Sequence, residues 1–325
     1  MLEYDYDKHE VAKRYINNPI ITPDMIPERC NTVFNAGAIK HGDEYILLVR
    51  VEMLENFSQL YVARSKTGFD FKVDKKPLIF PSKTGPFAQY ENLGIEDPRI
   101  TKMGRYYYIT YTAYSRYDPL VSLARTKDFV KVEKLGPVSL PSNKDCVIFP
   151  EKINGKYVRI DRPMSGYKAN MWLSYSDDLK YWGDYKILMT PRWGKWDSDR
   201  IGAGAVPIKT PYGWLEIYHG VKDTAKGGIY KLGAVLLDLE HPEKILGRTN
   251  IPILTPKAEY ERIGDIENVV FTCGAIQEED NSIKIYYGAS DSFICLAETD
   301  TETLINLCYE GNNSNGKKNN GNGES

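Results

Sequence analysis

The chain has 325 residues, 42% of them hydrophobic and 26% charged, which places it with folded globular proteins and away from the disordered class. Its 42 Lys and Arg nearly balance its 44 Asp and Glu, so no broad basic field is available for nucleic acid or anionic lipid. No apolar run approaches the roughly 18 residues of a membrane span, and the five cysteines are scattered without a CxxC pair, which excludes a disulfide framework or zinc site and predicts a cytoplasmic protein with reduced thiols.

In chain order, residues 7–16 (DKHEVAKRYI) place Val11, Tyr15 and Ile16 at near-helical spacing and predict a short N-terminal helix. A repeated unit follows: a polar or glycine turn, a Tyr-rich strand, a loop and a second strand. It begins at Gly42 (GDEYILLVRVE), Gly104 (GRYYYITYTAYS), Asn154 (NGKYVRIDRP), Tyr212 (YGWLEIYHGV) and Asn281 (NSIKIYYGAS), at intervals of about 50 to 70 residues. Length alone suggests two domains of about 150 residues. Five near-equivalent strand units instead predict one all-β domain, a five-bladed β-propeller over residues 1–308, because ring closure leaves only short protected edges where a two-sheet sandwich would not. ETLINLC at 302–308 is predicted to form a closing turn, and the Asn/Gly-rich residues 309–325 a disordered tail. The 24 tyrosines, against 10 Phe and 5 Trp, belong mostly to the repeated strands.

Propeller loops converge on the axis, so charged residues interrupting apolar strand ends are the place to look for chemistry. Five segments qualify: GIEDPRI (94–100) with Glu96, Asp97 and Arg99; NKDCVIFPEKINGKYVRIDRPM (143–164) with Lys144 and Arg162; WGKWDSDRIGAGAVPI (193–208) with Arg200; GWLEIYHGV with His219, followed by Tyr230; and YYGASD ending in Asp291. Each alone reads as a paired or solvated surface charge. Their recurrence at one position in successive blades points to a shared pocket. The four histidines have no HxH or HExxH spacing, GAGA (202–205) lacks the GK[ST] of a phosphate loop and the βαβ context of a dinucleotide fingerprint, and no GxSxG is present. No metal or cofactor is called for.

GIEDPR, FPEKINGKY followed by RP, RIGAG, GWLEIYHGV, LGAVLLDLEHP, NVVF and YYGASD occur in that order across residues 17–298, and together they resemble glycoside hydrolase family 130. The resemblance implies a five-bladed propeller and inverting phosphorolysis of β-mannosides to α-mannose 1-phosphate and a shortened sugar, with inorganic phosphate as co-substrate. The wording EDPRIT and NKDxxxFPEK is closer to members acting on β-1,2-linked mannobiose and oligomannans than to the β-1,4 type. Residue by residue, the resemblance makes Asp97 the general acid, its proton passing through the 3-hydroxyl of the departing mannosyl unit. It assigns Asn35, Arg50 and Asp291 to that mannosyl unit, with Arg99 counted in the same set. Lys144, Arg162, Arg200 and Tyr230 fall at phosphate positions, with His219 near them; many relatives carry Arg in place of Lys144 and Lys in place of Arg200.

One acid and several cations suit phosphorolysis, since an anionic nucleophile needs no base, whereas an inverting hydrolase needs a second carboxylate. Alternatives from the same reading are a β-1,2-mannosidase using Asp197, Asp199 or Glu267 as base, a β-1,4-mannoside phosphorylase, and a non-catalytic sugar-binding propeller. The expected partners are an oligosaccharide and phosphate, with no nucleic acid or membrane. Homo-oligomerisation is left open.

Overall fold

The computed structural model describes residues 5–164 and 169–316. Five antiparallel sheets follow one another along the chain and form a five-bladed propeller. Blade one comprises Cys30–His41, Glu44–Met53, Ser58–Ser65 and Lys72–Val73; blade two Gly94–Met103, Tyr106–Tyr114, Leu120–Thr126 and Val132–Pro137. Blade three comprises Asn143–Ile148, Tyr157–Pro163, Met171–Ser176 and Gly183–Met189, and blade four Arg200–Ala203, Gly213–Thr224, Gly227–Leu237 and Ile245–Arg248, with Ile208–Thr210 on its second strand. Blade five takes Val270–Gln277, Ser282–Ala289 and Phe293–Asp300 from the end of the chain and Lys13–Arg14 from its beginning, with Lys13 opposite Glu298 and Arg14 opposite Ala297.

The strand pairs legible in the sequence are the second and third strands of each blade. Alternation explains why they form: in Glu44–Met53, Ile46 and Leu48 pack towards blade two while Leu47, Val49 and Val51 pack towards blade five. Such strands are apolar on both faces and still obey the two-residue period of a pleated sheet. The core is correspondingly divided into apolar layers between neighbouring blades rather than gathered at one centre.

The innermost strands, CNTVFNAGAIKH, GIEDPRITKM, NKDCVI, RIGA and VFTCGAIQ, lie ahead of the units read from sequence. They approach one another closely at the axis. A Cβ on Gly37 would lie 2.6 Å from the Pro98 carbonyl oxygen, and one on Gly274 2.4 Å from the Ala38 nitrogen. Glycine is required at both contacts because neighbouring backbones occupy the space of a side chain.

The tyrosine surplus has a second role besides strand formation. In three blades a second-strand tyrosine donates to a buried carboxylate on the segment entering that blade, and a cation of the outermost strand pairs with the same carboxylate. These sets are Tyr111–Glu91–Lys134, Tyr218–Asp197–Arg248 and Tyr287–Glu261–Arg14, with phenol to carboxylate distances of 2.8, 2.8 and 2.7 Å. Each staples an irregular entry segment to its blade with charge-assisted hydrogen bonds shielded from water.

Two expectations at the termini are corrected. Residues 7–16 form no helix: Asp7 accepts from the Arg14 backbone nitrogen at 2.9 Å, and Lys13–Arg14 adds to the open edge of Phe293–Asp300. A sheet edge satisfies more backbone groups here than one isolated helical turn could. At the other end, Thr301–Gly316 is a helix that extends beyond the predicted boundary at 308. Asp300 caps it by accepting from the Thr303 nitrogen at 2.8 Å, and Leu304, Ile305 and Cys308 are buried against blades four and five. Residues 317–325 of the expected tail lie outside the described residues. Among those described, no helix is long and apolar enough to cross a membrane.

Ring closure depends on Glu261, which accepts from Arg14 Nε at 2.7 Å and Nη2 at 2.8 Å, from the Tyr287 hydroxyl, and from the Lys257 and Ala258 nitrogens. Glu261→Ala removes the acceptor of Arg14 Nε, the Tyr287 hydroxyl and the Lys257 and Ala258 nitrogens together, leaving the buried Arg14 with Asp7 at 2.7 Å and the Thr255 carbonyl alone. Its expected cost is about 3–5 kcal/mol, read as a lower denaturation midpoint together with loss of amide-exchange protection at residues 13–14.

Candidate active site at the propeller axis

Three innermost strands share one local distortion. Their pairing with the second strand slips between Phe34 and Gly37, between Glu96 and Arg99, and between Lys144 and Val147. At each bulge an Asn or Asp adopts the left-handed conformation: Asn35 at φ 52°, Asp97 at 48° and Asp145 at 53°. Asn and Asp tolerate this region better than other non-glycine residues. A bulge re-aims its side chain, and here all three point into one cavity at the axis. The strain is stored where the polar groups converge.

The cavity measures about 270 Å³ and is lined by Asn35, Arg50, Asp97, Lys144, Arg162, His219, Tyr230 and Asp291 from the sequence candidates, together with Glu96, Asp145, Ile266, Val269 and Phe271. Glu96 was singled out beside Asp97 but given no role, and Asp145 was missed. A signal for Asp145 existed: Lys144-Asp145 repeats the charged-residue-then-Asp pattern of Glu96-Asp97 at the corresponding bulge.

One side of the cavity is organised by Arg50. Its Nη1 donates to Asp97 at 3.1 Å, its Nη2 to Glu96 at 2.9 Å and its Nε to Ser58 at 2.9 Å, while its plane lies over the Phe34 ring. Asn35 Nδ2 donates to the same Asp97 oxygen at 2.9 Å. Burial disfavours the Asp97 anion, but Arg50, Arg99 and the Asn35 amide overcome it and hold its carboxyl below the ordinary value. Asp291 behaves oppositely. Burial outweighs the pull of Arg50 and, reinforced by Asp97 and Asp265, pushes it up to about 7. Burial also raises Glu96, against Arg50. Near neutrality Asp97 is therefore ionised while Asp291 still binds a proton, and the carboxyls around Arg50 titrate as a cluster.

The opposite side carries cations and neutral donors. Arg162 Nε lies 3.0 Å from Asp145 Oδ2, and His219 Nε2 3.6 Å from the same oxygen. Burial would raise Asp145, yet Arg162, His219 and Arg99 hold it well below the carboxylate range. His219 is fully buried, packed between Tyr230 and Phe271 with ring centroids at 6.3 and 4.5 Å, and neither ring nitrogen has a hydrogen-bond partner among the described residues. Burial outweighs the attraction of Asp145 and pushes it down to about 3, so the ring is neutral near pH 7. Room for this pair depends on Gly202, where a Cβ would sit 2.5 Å from the imidazole and 2.6 Å from Asp145 Oδ2. Lys144 faces the cavity with no carboxylate within ion-pairing distance among the described residues.

Two assignments change. Arg99 is not a sugar ligand: it is 1% exposed and lies beneath the cavity, where Nη1 donates to the Asp97 carbonyl at 3.0 Å, Nη2 to the Ala203 carbonyl at 3.0 Å and Nε to the Gly204 carbonyl at 3.1 Å. Its donors are spent on backbone. Arg200 is not among the lining residues: it lies over the Tyr230 ring at 5.6 Å and pairs with Asp199 at 3.2 Å. The carboxylates considered as a hydrolytic base do not enter the cavity. Asp197 is fully buried in its staple with Arg192 and Arg248, Asp199 holds Arg200, and Glu267 lines a different rim cavity. Among the described residues no group of three or more His, Cys, Asp or Glu is arranged to hold a metal ion.

An axial pocket with a carboxyl cluster on one wall and cationic and neutral donors on the other, set in a five-bladed propeller, suits a glycoside phosphorylase, the class its family and relatives support. Residues 7–310 match the family model described as beta-1,4-mannooligosaccharide phosphorylase, and the chain belongs to glycoside hydrolase family 130. It is 44% identical over 241 residues to the beta-1,2-mannobiose phosphorylase of Listeria innocua serovar 6a, a match spanning 74% of this chain and 65% of that relative. It is 38% identical over 296 residues to the 1,2-beta-oligomannan phosphorylase of Thermoanaerobacter sp. strain X514, covering 88% and 96% of the two chains. Its structure superposes on that of the Listeria innocua beta-1,2-mannobiose phosphorylase in complex with beta-1,2-mannobiose with a TM-score of 0.84 at 34% identity, over 91% of this chain and 99% of the other.

The raised Asp291 carboxyl has a measurable sign. A group that binds its proton more tightly when folded stabilises the fold at low pH and loses that contribution as pH rises through its folded value, here about 7. Asp291→Asn removes the term. The variant is expected to gain stability relative to wild type between pH 5 and pH 8, measured by urea unfolding at both.

Proposed function

We propose that this protein catalyses inverting phosphorolysis of β-1,2-linked mannobiose or manno-oligosaccharides, with inorganic phosphate as co-substrate and no metal or organic cofactor. The observation that carries the reading is the open donor set on the cationic wall: the unpaired Lys144 ammonium, Arg162, and the neutral His219 with both ring nitrogens free, beside Tyr230. A dianion is the ligand that such a set lacks. The phosphate oxygen attacks the anomeric carbon from that wall, the C1–O bond to the neighbouring sugar breaks, and the departing oxygen receives a proton. The products are α-mannose 1-phosphate and a sugar shortened by one unit.

In this reading Asp97 is the general acid, delivering its proton through the 3-hydroxyl of the mannosyl unit and drawing it from the carboxyl cluster around Arg50. Asn35, Arg50 and Asp291 hold that mannosyl unit, and Arg200 steadies Tyr230. The β-1,2 linkage follows the names of the two relatives rather than the β-1,4 description of the family model. A cytoplasmic setting suits a phosphate-consuming enzyme whose five cysteines are all free thiols.

Product analysis tests the reading. With β-1,2-mannobiose, mannose 1-phosphate is expected only when phosphate is present, and release of free mannose at the same rate without phosphate sinks it. Asp97→Asn is expected to lower kcat by about 10²- to 10⁴-fold. Lys144→Ala is expected to raise the KM for phosphate while leaving the KM for the sugar nearly unchanged, since it removes one charge from the phosphate wall alone.

A further inference from the structure

Counted fully ionised, the axial cavity is balanced in charge before a ligand enters. Arg50, Lys144 and Arg162 line it with Glu96, Asp97, Asp145 and Asp291, and Arg99 is buried beneath it, so four cations meet four carboxyls. The groups packed next to them tilt the balance to the negative side. Burial keeps His219 neutral, Arg200 pairs with Asp199 and Asp223, and Glu52 near Glu96 and Asp265 near Asp291 add negative charge. Tyr230 and the Cys273 thiol carry no positive charge in any form. Among the described residues Lys144 is the one lining cation outside an ion pair. It matches one charge of a phosphate dianion, and the second has no counterion.

The two walls already feel each other's charge. Asp145, set against Arg162 and His219, favours a proton on Asp97, and Lys144 disfavours one on Glu96. Arg99 links them physically: it donates to the Asp97 carbonyl at 3.0 Å and approaches Asp145 at 3.4 Å. An anion beside Arg162 acts on the carboxyls in the same sense as Asp145, with twice the charge, and it occupies the Lys144 ammonium that now opposes protonation of Glu96. A place for the proton is open. Arg50 Nη1 and Asn35 Nδ2 both donate to Asp97 Oδ1, at 3.1 and 2.9 Å, while Asp97 Oδ2 accepts no hydrogen bond from the described residues.

We propose that binding of the phosphate dianion draws a proton from solution onto the carboxyls of Glu96, Asp97 and Asp291, so that the nucleophile arms the general acid. This rests on the phosphorolysis reading and adds to it an order of events. A phosphate oxygen bonds C1, the C1–O bond to the neighbouring sugar breaks with its electron pair on the departing oxygen, and the cluster's proton passes to that oxygen. The P–OH proton of the hydrogen phosphate dianion is released as the ester leaves as a dianion, so the proton taken up on binding is returned with the product. Before phosphate binds, Asp97 is ionised near neutrality and has no proton to give. Water in the same pocket is then an unproductive nucleophile.

Calorimetric titration with inorganic phosphate at pH 8, above the value of about 7 for Asp291 in the free protein, counts the protons when it is repeated in buffers of different ionisation enthalpy. Wild type is expected to take up about half a proton or more per phosphate, and Glu96→Gln, which removes one negative charge, about half the wild-type uptake or less. The side-chain carboxyl carbon resonances of Asp97, Asp291 and Glu96, assigned by their loss in Asp97→Asn, Asp291→Asn and Glu96→Gln, locate the proton. Saturating phosphate is expected to raise the titration midpoint of at least one of them by about one pH unit or more. Binding with no proton uptake overturns the proposal, and so does undiminished uptake in Glu96→Gln. Uptake with all three midpoints unmoved also overturns it, because the proton then stays on the phosphate. Failure of the phosphorolysis reading is distinguishable: wild type then yields no mannose 1-phosphate from β-1,2-mannobiose. If phosphate still binds, the same proton count decides; if it gives no heat in any buffer, the proposal falls with that reading.

Discussion

One guanidinium on the propeller axis ties the site to the ring. Arg99 of blade two donates to its own blade at the Asp97 carbonyl, approaches Asp145 of blade three at 3.4 Å, donates to two carbonyls of blade four, and lies over Phe271 of blade five at 5.9 Å. Burying such a charge costs several kcal/mol unless every donor finds a partner, so the innermost strands of blades two, three and four, which supply those partners, must hold their relative positions. The Asp97 and Asp145 side chains hang from the bulges of two of these strands. The axial cation is thus a structural group whose satisfaction sets the geometry of the functional ones.

The electrostatics of the cavity follow from that arrangement. Arg99 and Arg162 keep Asp145 ionised, and Asp145 in turn holds Arg162 beside a histidine that burial keeps neutral. Across the cavity, one Arg50 cannot neutralise three carboxyls, and burial drives a proton onto the cluster. The pocket therefore holds an exchangeable proton on one wall and unspent donors on the other. Those are the two provisions an anionic nucleophile and a leaving alkoxide need, and they line one cavity of about 270 Å³.

Much of this was legible in the sequence. The Tyr-rich strand pairs repeat, and their spacing announces blades because each is long, apolar and alternating. The innermost strands were not legible as strands, since residues such as those of GIEDPRITKM are polar, bulged and glycine-adjacent where they line the axis, and their β character comes from pairing with the second strand of the blade. The short helix expected at 7–16 failed for the converse reason: its local spacing was helical, but the open edge of blade five competed for the same backbone. Arg99 and Arg200 looked equivalent to Arg50 and Arg162 as charges at strand ends, and only their partners separate them: Arg99 donates to three backbone carbonyls and Arg200 pairs with Asp199, while Arg50 and Arg162 line the cavity.

What the sequence determined by itself was the repeat, hence the ring, and the order of the EDPR, NKD, RIGAG, YHG and YGASD segments that carry the chemistry, because strand periodicity and local motif are properties of neighbouring residues. Tertiary structure decided which charges meet. Asp97 and Asp291 lie nearly two hundred residues apart and share one guanidinium; Asp145, unremarked in the sequence, sits against Arg162 and His219. Those pairings are set by closure of five blades on one axis, a long-range constraint that no window of the chain contains.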